Sequence, residues 1–132
     1  MIIELISFGF KYNSQPSVNY LIDVRFLNNP YYIDKLKPLT GLDNDVIEYF
    51  NSDADTKDFI EKLIVWTEYI IDRNFKANKD KIIIAIGCTG GQHRSPYLTE
   101  QLAKYLRNNP LISKLTIYHT QLSKYNIPQT KE

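Results

Sequence analysis

The stretch Lys81-Ile82-Ile83-Ile84-Ala85-Ile86-Gly87-Cys88-Thr89-Gly90-Gly91-Gln92-His93-Arg94-Ser95-Pro96 narrows the choice of folds more than any other part of the chain. A run of β-branched and apolar residues stops at Gly87, crosses a Gly-Gly loop and enters a segment with Pro96 near its start. That is the pattern of a buried strand followed at once by a helix N-terminus. In α/β proteins such a junction gathers unpaired N–H groups and the positive end of a helix dipole beside the strand's carboxyl end, where an anion is favoured. Glycines at 87, 90 and 91 lack a Cβ, so they can take positive φ and let an oxyanion approach the main chain. Arg94 adds a planar fork of donors and Ser95 a hydroxyl, a set suited to phosphate.

The rest of the chain supplies elements to surround this junction. Strands are expected over 2–10, 18–24 and 115–119, a short helix over 45–50, a long one over 56–75, and a helix from the loop to about 108. Thr40 or Asp43 is placed to cap the short helix, and the acidic break 51–55 to cap the long one. In the long helix Phe59, Ile60, Leu63, Ile64, Thr67, Ile70 and Ile71 form one core stripe with Trp66 at its margin. Leu98, Leu102, Tyr105 and Leu106 form the buried face of the last helix. The order strand, strand, two helices, strand, helix, strand predicts a single α/β domain with a mainly parallel sheet of about four strands and helices packed on it. Residues 1–120 make that domain, and 121–132 form a polar tail expected to be disordered.

Composition removes several classes of function. Sixteen Lys and Arg against fifteen Asp and Glu leave a net charge of +1, so a polyanionic partner would need a local basic patch. One cysteine excludes an internal disulfide and suits a cytoplasmic setting. The start, Met1-Ile2-Ile3-Glu4, does not read as a signal peptide, and no apolar run approaches membrane-spanning length. Neither a Walker motif nor metal-ligand spacing is found, so no cofactor and no metal are expected. Asp23 and Arg25, two apart on a strand, face the same way: they make either a salt bridge at a strand end or a ligand-directed arginine oriented by the aspartate. His93 is placed either to cap backbone groups or to touch a ligand, and His119 to finish a strand.

Two resemblances meet on the central loop. Cys88-Thr89-Gly90-Gly91-Gln92-His93-Arg94-Ser95 resembles the Cys-x-x-Gly-x-x-Arg-Ser loop of cysteine-dependent phosphatases. That likeness implies Cys88 as nucleophile and Arg94 as phosphoryl binder, with a thiol acidified by the helix N-terminus. Those enzymes usually carry His before the Cys, where this chain has Gly87. The broader likeness rests on Ser7-Phe8-Gly9-Phe10-Lys11, Asp23-Val24-Arg25-Phe26, Asn29-Pro30-Tyr31, Leu39-Thr40-Gly41-Leu42-Asp43, the 85–95 segment and Glu100-Gln101-Leu102-Ala103. In this order the blocks closely resemble the carboxy-terminal domain of the RapZ (YvcJ) family, from about residue 4 to residue 120.

The family resemblance implies a ligand-sensing and RNA-binding module that recognises glucosamine-6-phosphate, without chemistry of its own. It also implies an amino-terminal P-loop domain in other members, so this chain is expected to be a free-standing or excised version, with a protein partner or a second copy as further expectations. Carried over by position, Cys88, Thr89, Gly90, Gly91, Gln92, His93, Arg94 and Ser95 form the phosphate cradle. Lys11, Asp23, Arg25, Thr40 and Gly41 are the neighbouring ligand-binding positions. Two departures bear on RNA: Thr120 follows His119 where the family has Arg, and the tail carries only Lys124 and Lys131. Lys11, Arg25, Arg94, Lys104 and Arg107 are the candidates for a basic face. The cysteine-dependent phosphatase remains the alternative reading.

Overall fold

The computed structural model describes residues 1–12 and 17–122; the expected tail therefore lies almost wholly outside the described residues. Four strands, β1 (Ile2–Gly9), β2 (Tyr20–Asp23), β3 (Lys81–Cys88) and β4 (Lys114–His119), form one sheet in the order β2-β3-β1-β4. Every adjacent pair is parallel, with Ile2 opposite Lys81 and Lys114, and Tyr20 opposite Ile84. The strands' carboxyl ends thus share one edge. Alternation along the strands sends Ile3, Leu5 and Ser7, Ile82, Ile84, Ile86 and Cys88, and Leu115, Ile117 and His119 to one fully buried face.

Three helices cover that face: α1 (Asn44–Asn51), α2 (Ala54–Lys76) and α3 (Arg94–Leu106). α3 lies directly on β1, β3 and β4, α2 packs on α3, and α1 on α2. Leu63, Thr67 and Ile71 of α2 are buried, with Phe59, Ile60 and Ile70 packed at the margin of the core. α2 stops where Asn78 takes φ 61°, a left-handed conformation that asparagine tolerates better than most residues.

The structure corrects several local expectations. β2 is shorter than 18–24 because Asn19 begins the pairing with its side chain: its Oδ1 accepts from the Ile83 amide at 2.7 Å. Tyr105 is not on the buried face of α3; it is 42% exposed and donates its hydroxyl to Glu68 at 2.6 Å, while Ala103 is fully buried. Asp43 and Asp53 occupy N-cap positions, yet neither carboxylate caps a helix amide. Asp43 accepts from the Thr40 amide and hydroxyl, and Asp53 accepts from Thr56 Oγ1 and Asn28 Nδ2. Of the three loop glycines only Gly91 has positive φ, 66°. Gly87 is needed for a different reason: a Cβ there would lie 2.4 Å from the Phe8 ring and 2.6 Å from Phe10.

These contacts predict two stability losses. Ile84→Ala removes a fully buried side chain at the sheet centre and is expected to cost ~2–5 kcal/mol in urea unfolding. Gly87→Ala overpacks the two phenylalanines and is expected to cost ~1–3 kcal/mol.

Candidate functional site

The junction read from the sequence stands at the carboxyl edge of the sheet, where β3 ends at Cys88 and α3 starts at Arg94. Neighbouring segments clamp the loop between them. Lys11 donates its amide to the Thr89 carbonyl at 3.0 Å, and Gly41 donates to the Gln92 carbonyl at 2.9 Å. Gln92 Nε2 donates to the carbonyls of Lys37 and Leu39, both at 2.7 Å. On the other side Gly9 and Gly91 pack backbone to backbone; a Cβ on Gly9 would come within 2.6 Å of Gly90. Gly41 is equally constrained, since its Cβ would sit 2.4 Å from the His93 carbonyl oxygen.

Such a loop is held open rather than zipped to its neighbours. Among the described residues, the amides of Thr89, Gly90, Gly91, His93 and Arg94 have no backbone acceptor. Ser95 donates its amide to Cys88 Sγ at 3.4 Å, and its hydroxyl lies 3.2 Å from the same sulfur and from the Phe8 carbonyl oxygen. Unpaired amides at a helix start carry partial positive charge, the physical basis of an anion nest.

Arg94 sets the electrostatics. Its side chain is turned into the protein and only 4% exposed. Nη1 donates to the Arg25 carbonyl at 2.8 Å and the Leu27 carbonyl at 3.1 Å, while Nη2 reaches Thr89 Oγ1 at 3.4 Å. Its Nε is buried with no hydrogen-bond partner among the described residues. No carboxylate there forms an ion pair with it. Asp23, the acid whose pKa Arg94 helps to lower, is taken by Arg25, whose hydrogen bond is the main cause of that lowering. Arg25 also lies over the Phe10 ring at 3.9 Å. A buried cation served by neutral oxygens alone is costly unless an anion completes it.

A cavity of about 350 Å³ opens on this loop, lined by Cys88, Thr89, Gly90, Gln92, His93 and Arg94 together with Lys11, Asn29, Tyr31 and Tyr32. Seven of the expected site residues are therefore brought together. Gly91 and Ser95 support the loop from behind, Asp23 and Arg25 make the strand-end salt bridge, Thr40 accepts from the Leu42 amide in its own turn, and Gly41 packs against the start of α3; none of these six lines the cavity. The end of the Lys11 side chain stands over Gly90: among the described residues a Cβ there would meet only its Cε and Nζ, both at 3.8 Å. Asn29, Tyr31 and Tyr32 complete the lining although none was among the expected ligand-binding positions; Tyr32 is 85% exposed at the rim. Asn29 Oδ1 accepts from the Tyr31 amide at 3.1 Å, the Asx-type turn that the Asn-Pro-Tyr spelling signals.

The two histidines are both internal. His93 pairs its Nε2 with the Leu36 carbonyl at 2.9 Å, and burial lowers its pKa. His119 finishes β4 as expected, but it also links Ser7 Oγ, 2.6 Å from Nδ1, to Glu100 Oε2, 2.7 Å from Nε2. Ser7 is completely buried, so this chain ties β1 and β4 to α3 beneath the loop.

A family profile for the RapZ C-terminal domain matches residues 1–123. The chain belongs to the RapZ C-terminal domain family. It is 42% identical over 130 residues to a nucleotide-binding protein of Listeria innocua, an alignment covering 98% of this chain and 42% of that protein. It is 44% identical over 123 residues to nucleotide-binding proteins of Lactobacillus acidophilus and Lactobacillus helveticus, covering 93% of this chain and 41% of each relative. The chain thus spans about two fifths of the length of these relatives. Among the described residues no helix is long and apolar enough to cross a membrane, and no group of acids, histidines or cysteine is arranged to hold a metal.

His93 gives the site a pH signature. Because its folded pKa lies below the ordinary 6.5, the unfolded chain takes up a proton first as pH falls. Its contribution to stability is complete above about 6.5 and declines below it. Melting temperature is expected to fall with pH in that window, and His93→Gln is expected to flatten the slope.

Proposed function

We propose that this domain is a binding and sensing module for a phosphorylated small molecule, with an amino-sugar phosphate such as glucosamine-6-phosphate as its ligand. The observation that carries the reading is Arg94: among the described residues, a buried guanidinium without a carboxylate, behind a loop in which the amides of Thr89, Gly90, Gly91, His93 and Arg94 have no backbone acceptor. A phosphate monoester supplies the missing negative charge and several acceptor oxygens at once. Lys11 is the exposed cation that meets it from the Gly90 side. The cavity extends to Asn29, Tyr31 and Tyr32, which offer an amide and two rings to the rest of the ligand.

The phosphatase alternative draws support from the thiol, which lines the cavity, accepts from the Ser95 amide and lies 3.2 Å from the Ser95 hydroxyl. A general acid for the leaving oxygen is also required, and no carboxylate lines the cavity among the described residues. The candidate acids Asp43, Asp53, Asp55 and Asp58 are bound to Thr40, Thr56, Asn28 and Lys62. Binding without turnover is therefore the reading carried forward. An RNA-adaptor role would need a joined basic face. Lys104 and Arg107 lie at the far end of α3 from Arg94, about 15 Å along the axis for ten residues.

Isothermal titration with glucosamine-6-phosphate, glucosamine, inorganic phosphate and a nucleoside monophosphate tests the proposal. Saturable heat with the sugar phosphate and none with glucosamine is expected. Lys11→Ala should weaken binding about tenfold and Cys88→Ser should leave it within about twofold, since the serine hydroxyl still accepts from Ser95. Absence of heat from every phosphate-bearing ligand at millimolar concentration would refute the reading.

A further inference from the structure

The outward side of α2 carries an order that packing within the domain does not use. Asp58, Lys62, Val65, Tyr69, Asp72 and Lys76 recur at alternating spacings of four and three, a single stripe along the helix. It lies opposite the buried Leu63, Thr67 and Ile71. Val65 is 68% exposed and Tyr69 62%, with Trp66 beside them at 37%. Apolar residues thus hold the middle of the stripe, and charged pairs hold both ends: Asp58 with Lys62 and Asp72 with Lys76.

We propose that this face pairs with α2 of a second copy of the chain, antiparallel, about a twofold axis level with Thr67. In that register Val65 meets Tyr69 of the partner subunit, and Lys62 meets Asp72 of the partner subunit. Asp58 faces Lys76 of the partner subunit. Each contact is repeated by symmetry, as a twofold interface requires. Every charged level in the stripe meets its opposite sign.

Competing arrangements fail on the same residues. A parallel pair sets Asp58, Lys62, Asp72 and Lys76 each against its own kind, a repulsion at every charged level. An antiparallel pair slipped by one heptad in either direction sets Val65 against a lysine, Lys62 or Lys76, and strands the apolar centre. The charge pattern therefore specifies both direction and register. With one valine and one tyrosine per copy at its centre, the interface is small, and the dimer is a concentration-dependent one.

Sedimentation equilibrium of the full chain from about 10 µM to about 1 mM tests this, with helix content checked by circular dichroism. A reversible monomer–dimer equilibrium is expected, weakened by added salt. Lys62→Glu should raise the dissociation constant about tenfold by setting acid against Asp72. The double change Lys62→Glu with Asp72→Lys restores opposite signs and should recover most of the affinity. A monomer at every concentration, a dimer indifferent to Lys62→Glu, or a double variant no better than the single one would each overturn the pairing.

Discussion

A guanidinium buried beneath a helix start is the constraint on which the rest of this domain turns. Arg94 is fixed by the Arg25 and Leu27 carbonyls, which belong to the turn after β2. It therefore ties the edge of the sheet to the first turn of α3, and through α3 to the layer above β1, β3 and β4. The arrangement keeps a full positive charge away from water with, among the described residues, only neutral oxygens bonded to it. Structural economy alone would place a carboxylate there, since an ion pair would ease the cost of burial. Asp23 is close enough to feel that charge, yet Arg25 holds it.

The parallel sheet explains why the polar groups converge where they do. All four strands point the same way, so the segments that follow Gly9, Asp23, Cys88 and His119 leave from one edge. The segment after β1 brings Lys11, that after β2 brings Asn29, Tyr31 and Tyr32, and that after β3 is the loop itself. The end of β4 contributes from below. Thr120 donates to the Ser7 carbonyl, and Gln121 packs against Gly91. Four separate stretches of sequence build one rigid rim, with Gly9, Gly41 and Gly91 present because backbone must approach backbone.

Much of this was legible in the sequence because the governing signals are local. An apolar run stopping at a glycine, followed by Pro96, announces strand, loop and helix within sixteen residues. The alternation of elements then dictates parallel strands. What escaped depended on contacts distant in sequence. Periodicity put Tyr105 inside, but its hydroxyl found Glu68 at the surface. Aspartates expected as caps found Thr40 and Thr56 hydroxyls instead. The Ser7–His119–Glu100 chain joins residues as far as 112 apart, and nothing in the spelling of any one segment marks it. Asp23 and Arg25 read equally well as a salt bridge or a ligand clamp, and the 2.7 Å ion pair belongs to both readings.

The central claim is that the loop amides and the guanidinium behind them hold an oxyanion. Proton–nitrogen correlation spectra recorded during a titration with inorganic phosphate test it most directly, because each amide reports separately. The account predicts saturable shifts for the amides of Thr89, Gly90, Gly91, His93 and Arg94, with the outer face of α2 unmoved. Shifts scattered over surface lysines, or none at the loop while phosphate reaches millimolar levels, would contradict it.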